Sequence, residues 1–392
     1  MKAGTLRLIP SLRQNSTHVE RRCECVWTSE SGSSKRETLW FRLPSGIPVP
    51  PAEDCDSYLL ANLLPAMQRK YDIHIEGTIN RQLLRNLFEF QGAWIKWKPL
   101  QYSQIGITCS VRDDELPANQ EAVLAFSGGV DANFSLARSM RSKLPESHNV
   151  TRCCLVHGFD IPLEEIPTFA TVHRTLQNDL DGIGMPLMPV ATNLRQTMSA
   201  PWEDSVGTAL AAVLNQIKRL CGSAIVGSTE PYDNLIPWGS HPATDHLLAG
   251  SDFRIVHDGA THSRPEKLAY LFNGETAPPN VRVCWANPNQ PGNCGKCEKC
   301  LRSKAALYGL GLETYLAFDN KSFTQSILKL KRLSPLQKLE WQEVLKIARR
   351  RNASGCWLWA VRWLLLKTTC IDTLLPHGSR RRKLAARFSG QN

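Results

Sequence analysis

Ser127-Gly128-Gly129-Val130-Asp131 stands between an apolar run, Leu124-Ala125-Phe126, and a stretch that can be helical. A strand passing through two glycines into a helix belongs at the carboxyl edge of a sheet of strands alternating with helices, where such sheets bind ligands. Adjacent glycines let the backbone run close to a polyphosphate and take dihedrals closed to other residues. The N–H groups opening the following helix then point at the anion, and the helix dipole favours negative charge there. Ser127 adds a hydroxyl donor, and Asp131 can cap the helix or sit beside a magnesium ion. No Lys-Ser/Thr pair closes the loop, so transfer of a terminal phosphate is not the expected chemistry. The plainer alternative is a strand followed by a glycine turn with no ligand.

The surrounding chain supports an α/β reading. Apolar runs at 121–126, 150–156, 186–190, 223–227 and 253–257 alternate with helical patterns near 132–142, 164–178, 205–220 and 263–272. In the 205–220 stretch, Val206, Leu210, Val213, Leu214 and Ile217 share one face at three- and four-residue spacing. Continuous apolar strands alternating with helices predict a parallel sheet covered on both faces. At 392 residues the chain has room for two or more domains. Residues 1–118 read differently, with Pro44, Pro48, Pro50 and Pro51, an alternating run over 37–43 and an aromatic stretch from Phe88 to Trp97. They predict a small α+β accessory domain, either covering the site or purely structural. The expected division is 1–118, 119–312 and 313–392.

Between residues 284 and 300, Cys284, Cys294, Cys297 and Cys300 follow the pattern C-x9-C-x2-C-x2-C. Two-residue gaps let neighbouring thiolates converge on one ion, and Gly295 eases the turn. Four thiolates suit a closed structural zinc site, with an iron–sulfur cluster or disulfide pairs as the competitors. Residues 1–20 carry Lys2, Arg7 and Arg13 but no apolar core segment, so no signal peptide is expected. A reducing, cytoplasmic setting follows, where clustered cysteines more often bind metal than pair. The other nine of the 13 cysteines are scattered, and most read as small core hydrophobes, Cys153-Cys154 included.

The charge is uneven. Residues 331–392 hold 14 Lys and Arg against Glu340, Glu343 and Asp372, a net of +11 that equals the net of the whole chain. Arg349-Arg350-Arg351 and Arg380-Arg381-Arg382-Lys383 concentrate it, and Trp341, Trp357, Trp359 and Trp363 fall in the same segment. This basic helical extension can meet a nucleic acid, an acidic membrane surface, an acidic protein or solvent alone. The run from Cys356 to Leu366 is too short for a membrane span and contains Arg362. No membrane partner is expected, and a homo-oligomer stays open.

Polar residues gather where strand candidates end. His257-Asp258 follows one strand directly, as a substrate contact or as an Asx turn. Asn193 and Arg195 follow another, and His157 a third. Arg264 and Lys267 open a helix, where the dipole disfavours cations, which suits an anionic ligand such as pyrophosphate or else a surface helix. His241, Asp245 and His246 have metal-compatible spacing but no third partner in sequence, so local hydrogen bonding is expected.

The Ser127–Asp131 string resembles the SGGxDS signature of the PP-loop ATP pyrophosphatases, which cleave ATP between its α and β phosphates. The last serine of that signature is Ala132 here, one hydroxyl fewer near the pyrophosphate. With the cysteine knuckle followed by Leu301-Arg302, the chain over 120–310 resembles the QueC branch, the 7-cyano-7-deazaguanine synthases. The resemblance implies a PP-loop fold and a carbon–nitrogen ligase using ATP, Mg²⁺ and Zn²⁺. A carboxylate, 7-carboxy-7-deazaguanine by likeness, would be adenylated with release of pyrophosphate and joined to ammonia or another amine. Ser127, Gly128, Gly129, Val130, Asp131 and His157 would then hold ATP, and Asp131, Arg264 and Lys267 would serve the chemistry. Asn193, Arg195, His257 and Asp258 would meet the substrate. QueC-like proteins with extra regions also occur in antiphage operons, the QatC type, where the resemblance would allow a protein amine as acceptor. Two other readings stand beside this one: a tRNA-modifying PP-loop enzyme, for thiolation or lysidine formation, and a non-catalytic nucleotide-binding subunit.

Overall fold

The computed structural model describes residues 3–113, 121–141, 148–272, 281–284, 292–312 and 322–374. The chain divides into two compact units, Met1–Thr261 and His262–Asn392. The boundary expected at residue 118 falls inside the first unit and the one at residue 312 inside the second. The basic run Arg380–Lys383 lies outside the described residues.

In the first unit the strands are β1 (Gly4–Gln14), β2 (His18–Ser29), β3 (Ser34–Pro44), β4 (Tyr71–Asn80) and β5 (Ile107–Arg112), followed by β6 (Glu121–Ala125), β7 (Asn149–His157), β8 (Leu187–Thr192), β9 (Ser223–Gly227) and β10 (Arg254–Asp258). The helices are α1 (Asp56–Arg69), α2 (Arg81–Trp97), α3 (Val130–Arg141), α4 (Ile166–Asp181), the single turn α5 (Leu194–Thr197) and α6 (Trp202–Leu214). Among the described residues these ten strands form one sheet in the order β10-β9-β6-β7-β8-β3-β2-β1-β4-β5. From β10 to β8 every pairing is parallel, whereas β3 joins β8 antiparallel through Phe41↔Thr192 and Arg42↔Ala191. The sheet thereby continues into the first 112 residues, through antiparallel β3, β2 and β1 to parallel β4 and β5.

The central strands carry apolar residues on both faces because both faces are covered. Ala122, Leu124, Cys153, Leu155 and Ile225 point into one core with Leu136 of α3 and Val172 and Leu176 of α4. Their neighbours Val123, Cys154, Ala224 and Val226 point into a second core with Leu60 and Leu64 of α1 and Val213 and Leu214 of α6. Cys153 and Cys154 therefore serve opposite cores as packing residues. The strand and helix expectations hold closely here, with β9 falling on 223–227.

The second unit is helical among its described residues: α7 (Arg264–Phe272), α8 (Glu298–Leu310), α9 (Phe323–Lys329), α10 (Pro335–Arg350) and α11 (Cys356–Leu374). Ser334 and Gln337 form a reciprocal cap at the start of α10, each side chain bonding the other's backbone N–H. Among the described residues no helix is long and apolar enough to cross a membrane.

Candidate functional site

From β6 the chain steps to β7 and β8 on one side, then returns to the other side of β6 as β9 and β10. The direction of strand order reverses between β6 and β9. Carboxyl ends flanking such a reversal leave a crevice between connections that diverge, and this is where α/β sheets bind ligands. Ser127–Asp131 leaves β6 at that point and enters α3.

The loop's backbone explains its glycines. Gly128 has φ +74°, and a Cβ there would lie 2.6 Å from Leu176 Cδ2. Ser127 is exposed, Gly129 and Asp131 are half-buried, and Val130 is buried beneath them. Asn133 steadies the turn: its side-chain amide donates to the carbonyls of Gly128 at 2.8 Å and Gly129 at 2.9 Å. A short amide in the first turn of a helix can reach back in this way, and its position is a signal present in the sequence. From β9, Gly227 closes on the loop so tightly that a Cβ would lie 3.0 Å from the Asp131 carbonyl. Ala132 is buried in the apolar core beneath α3.

Around this point, the residues expected to meet ligand have protein partners. His157, at the carboxyl end of β7, stacks on Phe169 at 4.2 Å and bonds the Pro162 carbonyl at 2.9 Å; burial pushes its pKa down. Asn193 accepts from the Trp40 N–H and donates to the Thr38 carbonyl, tying the end of β8 to β3. Arg195 donates to the Phe159 carbonyl at 2.7 Å and lies over the Trp202 ring. Asp258 takes Arg138 of α3 at 2.8 Å. His257, on the other face of β10, bonds Asp245 through Nδ1 at 2.8 Å, and its Nε2 is buried without a hydrogen bond. Asp245 also accepts from the Ser240 hydroxyl and the His241 N–H. Asp245 thus bonds locally, and its link to His257 is one that the sequence spacing does not mark.

The second unit holds the other expected residues. Arg264 opens α7, is buried and pairs with Glu340 at 3.2 Å, and Lys267 is fully buried. The four cysteines converge. All four sulfurs lie within 4.8 Å of one another, with Cys284 to Cys297 and Cys294 to Cys300 both 3.9 Å apart. A tetrahedral site with metal–sulfur bonds of about 2.3 Å has sulfur–sulfur edges of about 3.8 Å, so the spacing fits one ion and excludes disulfides. Backbone N–H groups already point at sulfur: Cys297 to Cys294 at 3.3 Å and Cys300 to Cys297 at 3.5 Å. The hydrogen bond from the Cys300 thiol, together with the Cys300 N–H and the other thiols, holds Cys297 down at about 5. Gly295 takes φ +68°, and the Asn293 side chain bonds Val281, Val283 and Cys284, pinning the distant first cysteine beside the other three. Asn293 is a supporting residue that the cysteine spacing alone does not reveal. The cluster could hold a metal such as zinc. No protein-family model, curated protein or solved structure matches this chain.

Proposed function

We propose that the protein is a PP-loop enzyme that activates a carboxylate with ATP and passes it to an amine. The observation that carries this reading is the placement of Ser127–Asp131 at the reversal of strand order, with Gly128 in the left-handed region and α3 opening directly behind it. In this reading a carboxylate oxygen attacks the α-phosphorus, the bond to the bridging oxygen breaks and pyrophosphate leaves. The amine then bonds the acyl carbon, AMP departs with the electron pair, and the amine loses a proton. The loop amides would neutralise the phosphates, and Asp131 would hold Mg²⁺. The four cysteines would hold zinc as a closed structural site apart from the chemistry. The proposed acid is a carboxylated deazapurine, and the acceptor is ammonia or a protein amine.

The test is incubation with ATP, Mg²⁺ and 7-carboxy-7-deazaguanine, with and without ammonium, reading AMP, pyrophosphate and product mass. AMP release that requires the acid, and is lost in Asp131→Ala, supports the reading. Absence of AMP across a broad panel of carboxylates defeats it.

A further inference from the structure

We propose that the surface made by α10 and α11 binds single-stranded nucleic acid, with phosphates on Arg349, Arg351 and Arg362 and bases on Trp359 and Trp363. The inference stands apart from the carboxylate-activating reading and uses none of its residues.

The charge on this surface is uncompensated. Each carboxylate of residues 331–374 is already engaged: Glu340 with Arg264 and Arg302, Glu343 with Lys346, Asp372 with Arg332. Among the described residues, Arg349, Arg351 and Arg362 have no ion pair. Arg349 at the end of α10 and Arg362 in the second turn of α11 line one cavity of about 310 Å³ together with Ala348, Asn352 and Leu358.

The helix that carries Arg362 also carries two exposed aromatic rings. Along α11 the buried face is Trp357, Ala360, Val361, Leu364 and Thr368, so the core is filled without Trp359 and Trp363. Those two are 61% and 47% exposed, large values for the costliest apolar side chain to leave in water. Their rings are parallel within 8°, with centroids 6.5 Å apart, and Arg362 lies between them in sequence. Alternating flat rings and guanidinium groups match a single strand, in which every base offers a π-face and every nucleotide one phosphate. A folded acidic protein offers negative charge without that repeating pair of contacts.

The experiment is fluorescence anisotropy with a labelled oligouridylate or oligothymidylate of about 12 nucleotides, within the usual site size of one binding module. It uses the full chain over a range of salt. Arg349→Ala with Arg362→Ala is expected to flatten the plot of log affinity against log salt by about 0.7 for each arginine on a phosphate. Trp359→Ala with Trp363→Ala is expected to weaken binding about five-fold or more per base, with the slope unchanged, and the two phenylalanine variants should restore most of it. Melting curves check that each variant folds, which exposed positions favour. The proposal is overturned if the oligonucleotide does not bind or if both alanine pairs leave its affinity unchanged. It is overturned equally if replacing Arg380-Arg381-Arg382-Lys383 by alanine alone abolishes binding. Loss of affinity for phosphatidylserine vesicles or an acidic peptide, with the oligonucleotide unaffected, also overturns it.

Discussion

Gly227 ends β9 hard against the backbone of Asp131: an added Cβ would sit 3.0 Å from both the carbonyl carbon and oxygen of Asp131, so the neighbour must give by a few tenths of an ångström. The contact is backbone to backbone, so the loop must move if Gly227 gains a side chain. Gly227→Ala is therefore expected to lower ATP affinity about ten-fold or more, since sub-ångström misplacement of a binding loop costs rate and affinity steeply. Calorimetric titration of ATP, with a melting curve for the fold, checks this. Unaltered affinity would show that the close approach does not set the loop.

Asn133 offers a sharper probe of the same turn. Its amide donates to two carbonyls within 3 Å, so an acceptor at that position repels where the amide attracts. Asn133→Asp is expected to weaken nucleotide binding more than Asn133→Ala does. Equal losses would mean that Asn133 acts by volume alone.

The cysteine centre predicts about one zinc per chain by elemental analysis, lost in Cys284→Ser or Cys300→Ser. Chelator is expected to lower the melting temperature, because structural zinc adds directly to folding free energy. The effect should shrink as pH falls, since protons compete with the metal for the thiolates and the metal then adds less to stability. A brown, oxygen-sensitive preparation containing iron would instead favour the thiolating class of PP-loop enzyme.

These features differ in how far they could be read from the chain. The cysteine site was legible because three of its four ligands sit within seven residues and their spacing is itself the geometry. The central strands were legible because apolar runs such as Ser223–Gly227 have only one use in a sheet buried on both faces. The junction of β8 with β3 was not. It rests on Asn193 bonding Trp40 and Thr38, partners more than 150 positions away, which no local pattern encodes. His257 is marked by its place at the end of a strand, yet Asp245, which orients its ring, opens a single 3-10 turn, Asp245–Leu248, too short to carry a periodic signal.

Lys218 illustrates the same limit and gives the strongest stability prediction. Its ammonium lies 2.7 Å from Asp54, 2.9 Å from Asp56 and 2.8 Å from Asp252, in the middle of three buried carboxylates that could otherwise hold a metal ion. Arg112 bonds the same three. Burial and the neighbouring Asp56 push Asp54 up, whereas at Asp56 the pull of Lys218 and Arg112 outweighs burial and brings it down. Lys218→Met leaves buried charge uncompensated and is expected to cost about 3–5 kcal/mol. The sign with pH follows. Without the ammonium, the carboxylates have raised folded-state pKa values, so the folded variant takes up protons before the unfolded chain does. Stability of the variant relative to the parent should therefore rise as pH falls from about 7 toward about 5, narrowing the deficit. Denaturant midpoints at the two ends of that window measure it. A deficit that stays constant would mean the carboxylates remain ionised and hydrated, and that Lys218 contributes packing rather than charge.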